Sequence, residues 1–286
     1  MLVEIDRFVN WVRRRSPEAR TWRDYGYDLR FFAKVSGDRP IREITFRDVD
    51  IFISQQSDRG FKPTTINRRL AALVGLYAFL APEDDDLVCP VMPRRHHIRE
   101  AQRLPRPIQE DQLHAFFEAI TDIRDRAMFT IMLRCGLRIA EVAAMQMSDL
   151  YLGEEPARLL VRGKGSRQRS VYLSPQAKRT LREYLAARPK AASEFVFLSY
   201  LLDGLSTTAI HDRIIACREQ AGLKFSAHQF RHTFANDLLN ADVDITSIQK
   251  LMGHRWIETT MLYIQANDKQ VQADYQAACQ KLEGWS

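Results

Sequence analysis

The chain has 286 residues, 45% hydrophobic and 27% charged, a globular balance with room for two modest cores that excludes a disordered polyelectrolyte. No run of 18 apolar residues offers a membrane-spanning helix, and the first twenty residues carry acids early, unlike a secretory signal, so no membrane partner and a cytoplasmic, nucleoid-associated setting are expected. The net charge of +6 is uneven: residues 1–107 hold 20 Lys and Arg against 15 Asp and Glu, the remainder 22 against 21, which points the first third toward a polyanion such as nucleic acid.

In chain order, TWRDYGYDLRFFAKV places Trp22, Tyr25, Leu29, Phe32 and Ala33 on one helical face. TTINRRLAALVGLYAFL predicts a second helix, capped by Thr64 or Thr65, with Ile66, Leu70, Leu73, Val74, Tyr77 and Leu80 on its buried face. Lys62, Asn67, Arg68 and Arg69 flank its start. Cations there oppose the helix dipole, and phosphate contact explains them better than solvation alone. With Thr64 they form a candidate DNA-contact group. The acidic run Glu83–Asp86 reads as a solvated turn, because no histidine or further carboxylate pattern accompanies it; no metal ligands are expected.

Prolines at 82, 90, 93, 105 and 107 interrupt any helix over 81–109 and mark a domain boundary. The division expected is a helical domain over 1–92, a basic linker over 93–107 and a second domain over 108–286. Arg94 and Arg95 in PRRHHIREAQRLPR suit a DNA backbone. EDQLHAFFEAI and RDRAMFTIMLRCGLRIAEVAAM then read as helical. Two strand-forming runs, Leu159–Arg162 and Ser170–Leu173, surround a Gly-rich turn. The fold class is therefore mainly α, with a small antiparallel β-hairpin or sheet in the second domain. Cys89, Cys135, Cys217 and Cys279 lack C-x-x-C spacing and read as reduced, mostly buried small hydrophobes.

Four patches are more polar than packing requires. In CGLRIAEV, Gly136 breaks a helix or allows a close approach, and Arg138 and Glu141 stand three apart: a surface ion pair, or a guanidinium anchored so that its free edge grips a phosphate. In RGKGSRQR, Lys164 lies between two glycines at the hairpin tip, with Arg162, Arg167 and Arg169 around it as candidate DNA contacts. The Walker phosphate loop is absent, so ATP binding is not indicated. In SAHQFRHTFANDLL, His228 and Arg231 project to one side of a helix, although H-x-x-R also occurs at His96–Arg99. In LMGHRWIETTMLYI, Gly253 ends a helix, His254 follows, and Tyr263 stands nine residues on.

The ordered set carries the inference. Arg138 and Arg231 can neutralise the non-bridging oxygens of a phosphodiester. Lys164, His228 and His254 offer proton transfer or hydrogen bonds, and Tyr263 offers a nucleophile. A free tyrosine is only about 0.1% ionised at neutral pH, so neighbouring cations and a base must activate it.

With these patches in this order, nearly the whole chain resembles the tyrosine recombinase/integrase family, of the compact two-domain, Xer- and Cre-like kind. The resemblance implies a helical core-binding domain and a catalytic domain that clamp double-stranded DNA at a specific recombination site. It implies Tyr263 as the nucleophile giving a 3′-phosphotyrosyl link, Arg138 and Arg231 as the phosphate clamp, and Glu141 as orienter of Arg138. Lys164 is implied as the acid for the leaving 5′-oxygen, His228 as the base, and His254 as a phosphate hydrogen-bond donor. No metal, ATP or other cofactor is implied. The helical stripe Val271, Tyr275, Ala278 and Leu282, in a tail over about 268–286, is implied to dock on a neighbouring protomer of a tetramer on synapsed DNA. A second recombinase or accessory DNA-bending proteins are further partners of such enzymes, which serve integration, excision, transposition or resolution. Ala140, Asn236 and Ile264 depart from residues common in the family, but none is a proposed catalytic group. A type IB topoisomerase shares this chemistry, and a non-catalytic DNA-binding regulator would share the fold; both remain alternatives.

Overall fold

The computed structural model describes residues 1–17, 19–100, 106–163, 168–253 and 278–279, and divides into two compact units, 1–102 and 103–286. Among the described residues, no helix is long and apolar enough to cross a membrane.

The first unit contains α1 (Leu2–Arg15), α2 (Thr21–Ser36), α3 (Phe46–Asp58), α4 (Pro63–Leu80) and the short α5 (Pro93–His96). Phe8, Leu29, Phe32, Phe52, Leu73 and Leu76 meet in its core. Thr45 and Asp48 close a capping box at the start of α3, satisfying backbone donors that the helix itself leaves unpaired. The expected cap of α4 is corrected. Lys62 is the N-cap and Pro63 occupies the first turn, where its fixed φ suits a helix start, so Thr64 and Thr65 lie inside the helix. Val74, expected on the buried face, is exposed; Ala72 and Leu76 are buried instead, because the core-facing stripe runs through Ala72, Leu73, Leu76 and Tyr77 and Val74 falls outside it. Glu83 and Asp84 pair with Arg7 and Arg42. Residues 93–100, expected as linker, pack within the first unit. The Asn67 amide accepts the Ile98 N–H at 3.1 Å and donates to the Ile98 carbonyl at 2.8 Å, and Arg95 pairs with Asp50 at 2.6 Å.

The second unit contains α6 (Glu110–Glu118), α7 (Ile123–Cys135), α8 (Ile139–Ala143), α9 (Pro175–Ala187), α10 (Thr207–Gln220), α11 (Ala227–Asn240) and α12 (Ile245–Met252). Its antiparallel sheet runs β1 (Leu150–Tyr151), β2 (Arg158–Arg162) and β3 (Gln168–Tyr172) in that order. The hairpin expected from sequence gains β1 as a third strand. Helix α7 is buried nearly all round, from Ala127 to Leu133, and α8, α9 and α11 pack against it. Leu159, Val161 and Val171 turn inward from the sheet in the period-two alternation of a half-buried strand.

The segment expected as one helical stretch over 124–145 is divided at Gly136, which adopts φ +61 and ends α7. Only glycine fits twice over: the backbone is left-handed, and a Cβ there would collide with the Phe234 ring. Gly136→Ala should therefore lower the unfolding free energy of the second unit by more than about 2 kcal/mol, left-handed strain adding to the steric clash. An unchanged urea midpoint would refute this account of the α7–α8 break.

Candidate active site

Arg138 is the residue at which α8 begins, two positions after Gly136. Its backbone N–H donates to Glu141 Oε2 at 2.9 Å and its Nη1 to Glu141 Oε1 at 3.1 Å, while 43% of the side chain stays exposed. The guanidinium is thus anchored on one side and open on the other, as an anion clamp requires. Glu141 is buried and also receives Arg169 Nη1 at 2.7 Å and Nη2 at 3.0 Å. Burial alone would raise its carboxyl. Hydrogen bonds and charge from Arg169, then from Arg138, outweigh that and hold it below the ordinary range.

Arg231 comes from the first half of α11 and is 1% exposed. Its Nη1 donates to the Gly136 carbonyl, and its Nη2 to the Met252 carbonyl at the end of α12. These are helix-end carbonyls without an intrahelical donor, at the negative ends of the helix dipoles, where a cation is favoured. Because Arg231 grips Gly136, it is fixed two residues from Arg138 along the chain. His228 lies one turn before Arg231, in the first turn of α11. Although the residue as a whole is solvent-reachable, the crowding of its ring by protein, then the charges of Arg231 and Arg138, pull its pKa down, so the neutral base dominates at neutral pH. His232, not anticipated from sequence, meets His228 edge-on with ring centroids 4.6 Å apart. Burial, then His228 and Arg231, push it down to about 4. The competing H-x-x-R is structural: His96 is buried and its Nδ1 accepts the Met92 N–H at 2.8 Å.

Lys164, Arg167, His254 and Tyr263 lie outside the described residues, as does the docking tail apart from 278–279. Gly253 does end α12, at φ +64. Among the described residues, no group of three or more His, Cys, Asp or Glu side chains gathers as a metal site.

The expected DNA contacts divide by burial. Lys62, Thr64 and Arg94 are exposed. Arg68, Arg95 and Arg162 are exposed but paired with Asp28, Asp50 and Asp149. Asn67 is engaged by Ile98 and Glu100. Two assignments are corrected. Arg69 is 6% exposed, held between the rings of Phe31 (4.7 Å) and Phe61 (4.4 Å), and donates to Gln56; it belongs to the interior of the first unit. Arg169 is likewise turned inward, both ends of its guanidinium on Glu141 and its Nε on the Leu251 carbonyl at 2.9 Å. A signal for each existed. Arg69 follows buried Ile66 by three and precedes buried Leu73 by four, and Arg169 shares its strand face with buried Val171.

A phage integrase family model matches residues 106–270, and a phage integrase N-terminal SAM-like domain model matches residues 5–84. The chain belongs to the phage integrase family and is a tyrosine site-specific recombinase by kind. It is 30% identical to the tyrosine recombinase XerC of Caldanaerobacter subterraneus subsp. tengcongensis (strain DSM 15242), over 93% of this chain and 84% of that one. It is 27% identical to the tyrosine recombinase XerC of Listeria innocua, over 94% of this chain and 95% of that one. Its fold matches that of the XerH site-specific recombinase bound to palindromic difH substrate, with TM-score 0.76 and 21% identity over 89% of this chain and 78% of that one. A lambda integrase tetramer bound to a Holliday junction matches with TM-score 0.74 and 18% identity, over 91% and 76%.

Two outcomes follow from the burial. Arg69→Ala should destabilise the first unit by about 3–5 kcal/mol, since it strips a partner from buried Asp28, whereas Lys62→Ala should stay within about 0.5 kcal/mol; equal urea midpoints for the two variants would contradict the division. Glu141, held below its ordinary value of 4.5, contributes stability that is present above that pH and lost as pH falls through the folded value. Glu141→Gln should therefore lie roughly 3 kcal/mol below the parent at neutral pH, with the gap in melting temperature closing on acidification; a gap constant down to pH 3 would rule out a depressed Glu141 pKa.

Proposed function

We propose that this chain cleaves and rejoins double-stranded DNA at a specific recombination site, using Tyr263 as the nucleophile. The observation that carries the reading is the convergence of Arg138, Arg231 and His228. Arg231 is bound to the carbonyl two residues before Arg138, and both guanidiniums depress the His228 pKa. The scissile phosphate sits against the two guanidiniums, which offset the charge developing on its non-bridging oxygens. His228, neutral and at a helix N-terminus, accepts the Tyr263 proton as the tyrosine oxygen bonds to phosphorus. The bond from phosphorus to the 5′-oxygen breaks, and Lys164 supplies the proton that oxygen takes up. His254 hydrogen-bonds the phosphate. The 3′-phosphotyrosyl link conserves the bond energy, so reversal by another strand's 5′-hydroxyl rejoins DNA without ATP.

DNA and further copies of the chain are the partners. The similar XerH structure is bound to difH substrate, and the similar lambda integrase structure is a tetramer on a Holliday junction. The tail over about 268–286 supplies the contact between protomers, Lys62, Thr64, Arg94 and Arg167 are phosphate contacts, and the nucleoid is the place of action.

The test is to incubate the protein with fragmented genomic DNA of its source in EDTA, quench with detergent and sequence the covalently attached fragments. Recurrent breaks at one motif are expected, absent with Tyr263→Phe and reduced at least about 100-fold with Arg138→Ala. Adduct formation should fall as pH drops through the depressed His228 value, a limb missing from His228→Ala. Scattered Tyr263-dependent links would indicate topoisomerase-like relaxation instead, and adducts that persist in Tyr263→Phe would displace the tyrosine from its role.

A further inference from the structure

Arg169 has no part in the chemistry just described, yet its guanidinium joins three pieces of the site. On one side it holds both oxygens of Glu141, at 2.7 and 3.0 Å, and Glu141 in turn holds the backbone and side chain of Arg138. On the other, its Nε donates to the carbonyl of Leu251, three residues before His254. Gly253 closes over the same side chain, so that a Cβ there would stand 3.0 Å from Arg169 Cδ. Arg169 itself sits on β3, five residues after Lys164. The strand that leaves the lysine hairpin, the helix start that presents Arg138 and the helix end that leads to His254 are therefore tied by one planar group.

We propose that Arg169 is a positioning residue for strand cleavage, fixing Arg138 through Glu141 and the end of α12 through the Leu251 carbonyl, without touching DNA. Its fork geometry suits the role. Two parallel N–H donors meet a carboxylate while the third points away to a carbonyl, a pattern a lysine ammonium cannot reproduce. A displacement of about 1 Å in a clamp of this kind is enough to lower a rate many-fold. The inference rests on the cleavage reading above.

The groups facing the Glu141 carboxylate are Arg138 at the start of its own helix and Arg169 from β3. Cys135, at the end of α7 and under the charge of Arg169, stays protonated because burial pushes it up to about 12. Without Arg169, burial dominates and the Glu141 carboxyl rises, so the anchor of Arg138 weakens as pH falls.

The experiment uses the full chain and the genomic fragments captured by the parent, and measures single-turnover adduct formation from pH 5 to 8, DNA retention and melting temperature. Arg169→Met and Arg169→Lys should retain DNA like the parent but form adducts at least about tenfold more slowly at pH 7.5, with Lys the milder change. The acid limb of Arg169→Met should move to higher pH than the parent's, and return in the Arg169→Met, Glu141→Gln double variant. Arg169→Lys, which keeps the charge and the buried stem, decides the matter if the Met variant fails to fold. Parental rates in a folded Arg169→Lys, or a loss in Arg169→Met that is equal at every pH, would overturn the inference. A parent that forms no adduct overturns the cleavage reading instead, and this inference falls with it.

Discussion

The second unit depends on guanidinium groups bound to helix-end carbonyls. A helix leaves its last carbonyls without donors, and burying them unpaired is costly. Helices α7 and α12 end at Gly136, which is buried, and at Gly253, which follows buried Met252, both in the left-handed conformation that turns the chain sharply. Arg231 serves both ends through Gly136 and Met252, and Arg169 adds Leu251. The small core of Phe234, Ala235, Ile248 and Met252 forms around this junction. Hydrophobic packing brings α11 and α12 together, but the arginines set where the ends of α7 and α12 lie.

The first unit uses buried charge for a different end. Asp28 is fully enclosed and answers both Arg68 and Arg69, and Arg69 is further stacked between two phenylalanines. Burial is the larger influence on Asp28 and raises its pKa despite the two cations. Such a network adds little net stability over a packed apolar replacement but is damaging to break. It ties α2 to the start of α4, where Lys62 and Thr64 remain exposed. An arginine pair that looks like a phosphate contact in sequence is thus part of the support beneath the exposed start of α4.

What could be read from sequence follows from how local each signal is. Helices α2, α4 and α11 and the β2–β3 hairpin were legible because their apolar spacing is a property of a few consecutive residues. Gly253 was legible as a helix end, and Gly136 as either a helix break or a close approach, from the glycine itself. The direction of individual cations was carried only by the helical face, since adjacent Arg68 and Arg69 differ in nothing else and only Arg69 falls in line with Ile66 and Leu73. Arg169 looked like its hairpin neighbours until β3 paired with β2 and turned it toward Glu141, 28 residues back. Strand β1 escaped notice because two residues, Leu150 and Tyr151, carry no period at all. The linker expected over 93–107 was legible as a proline-rich interruption. That Asn67 holds Ile98 to the first unit is a contact over 31 residues, with no local trace.

This arrangement also bears on how the site can discriminate a transition state from a ground state. A clamp stabilises developing charge only to the extent that its dipoles already point at it before the reaction, since reorienting them would take back the gain. Free arginine side chains at a surface have many rotamers to lose. Arg138 has one edge fixed by Glu141, and Arg231 has two donors fixed by backbone carbonyls, so their orientation is set during folding rather than on binding. The consequence is that the bonds that shape this junction also orient both guanidiniums. Removing Arg231 leaves the Gly136 and Met252 carbonyls without their donor, so an alanine variant there perturbs the junction of α7 and α12 whatever else it removes. A lysine in its place would keep the charge but not the planar fork whose two ends reach the Gly136 and Met252 carbonyls, so the geometry of the fork, and not charge alone, holds the junction.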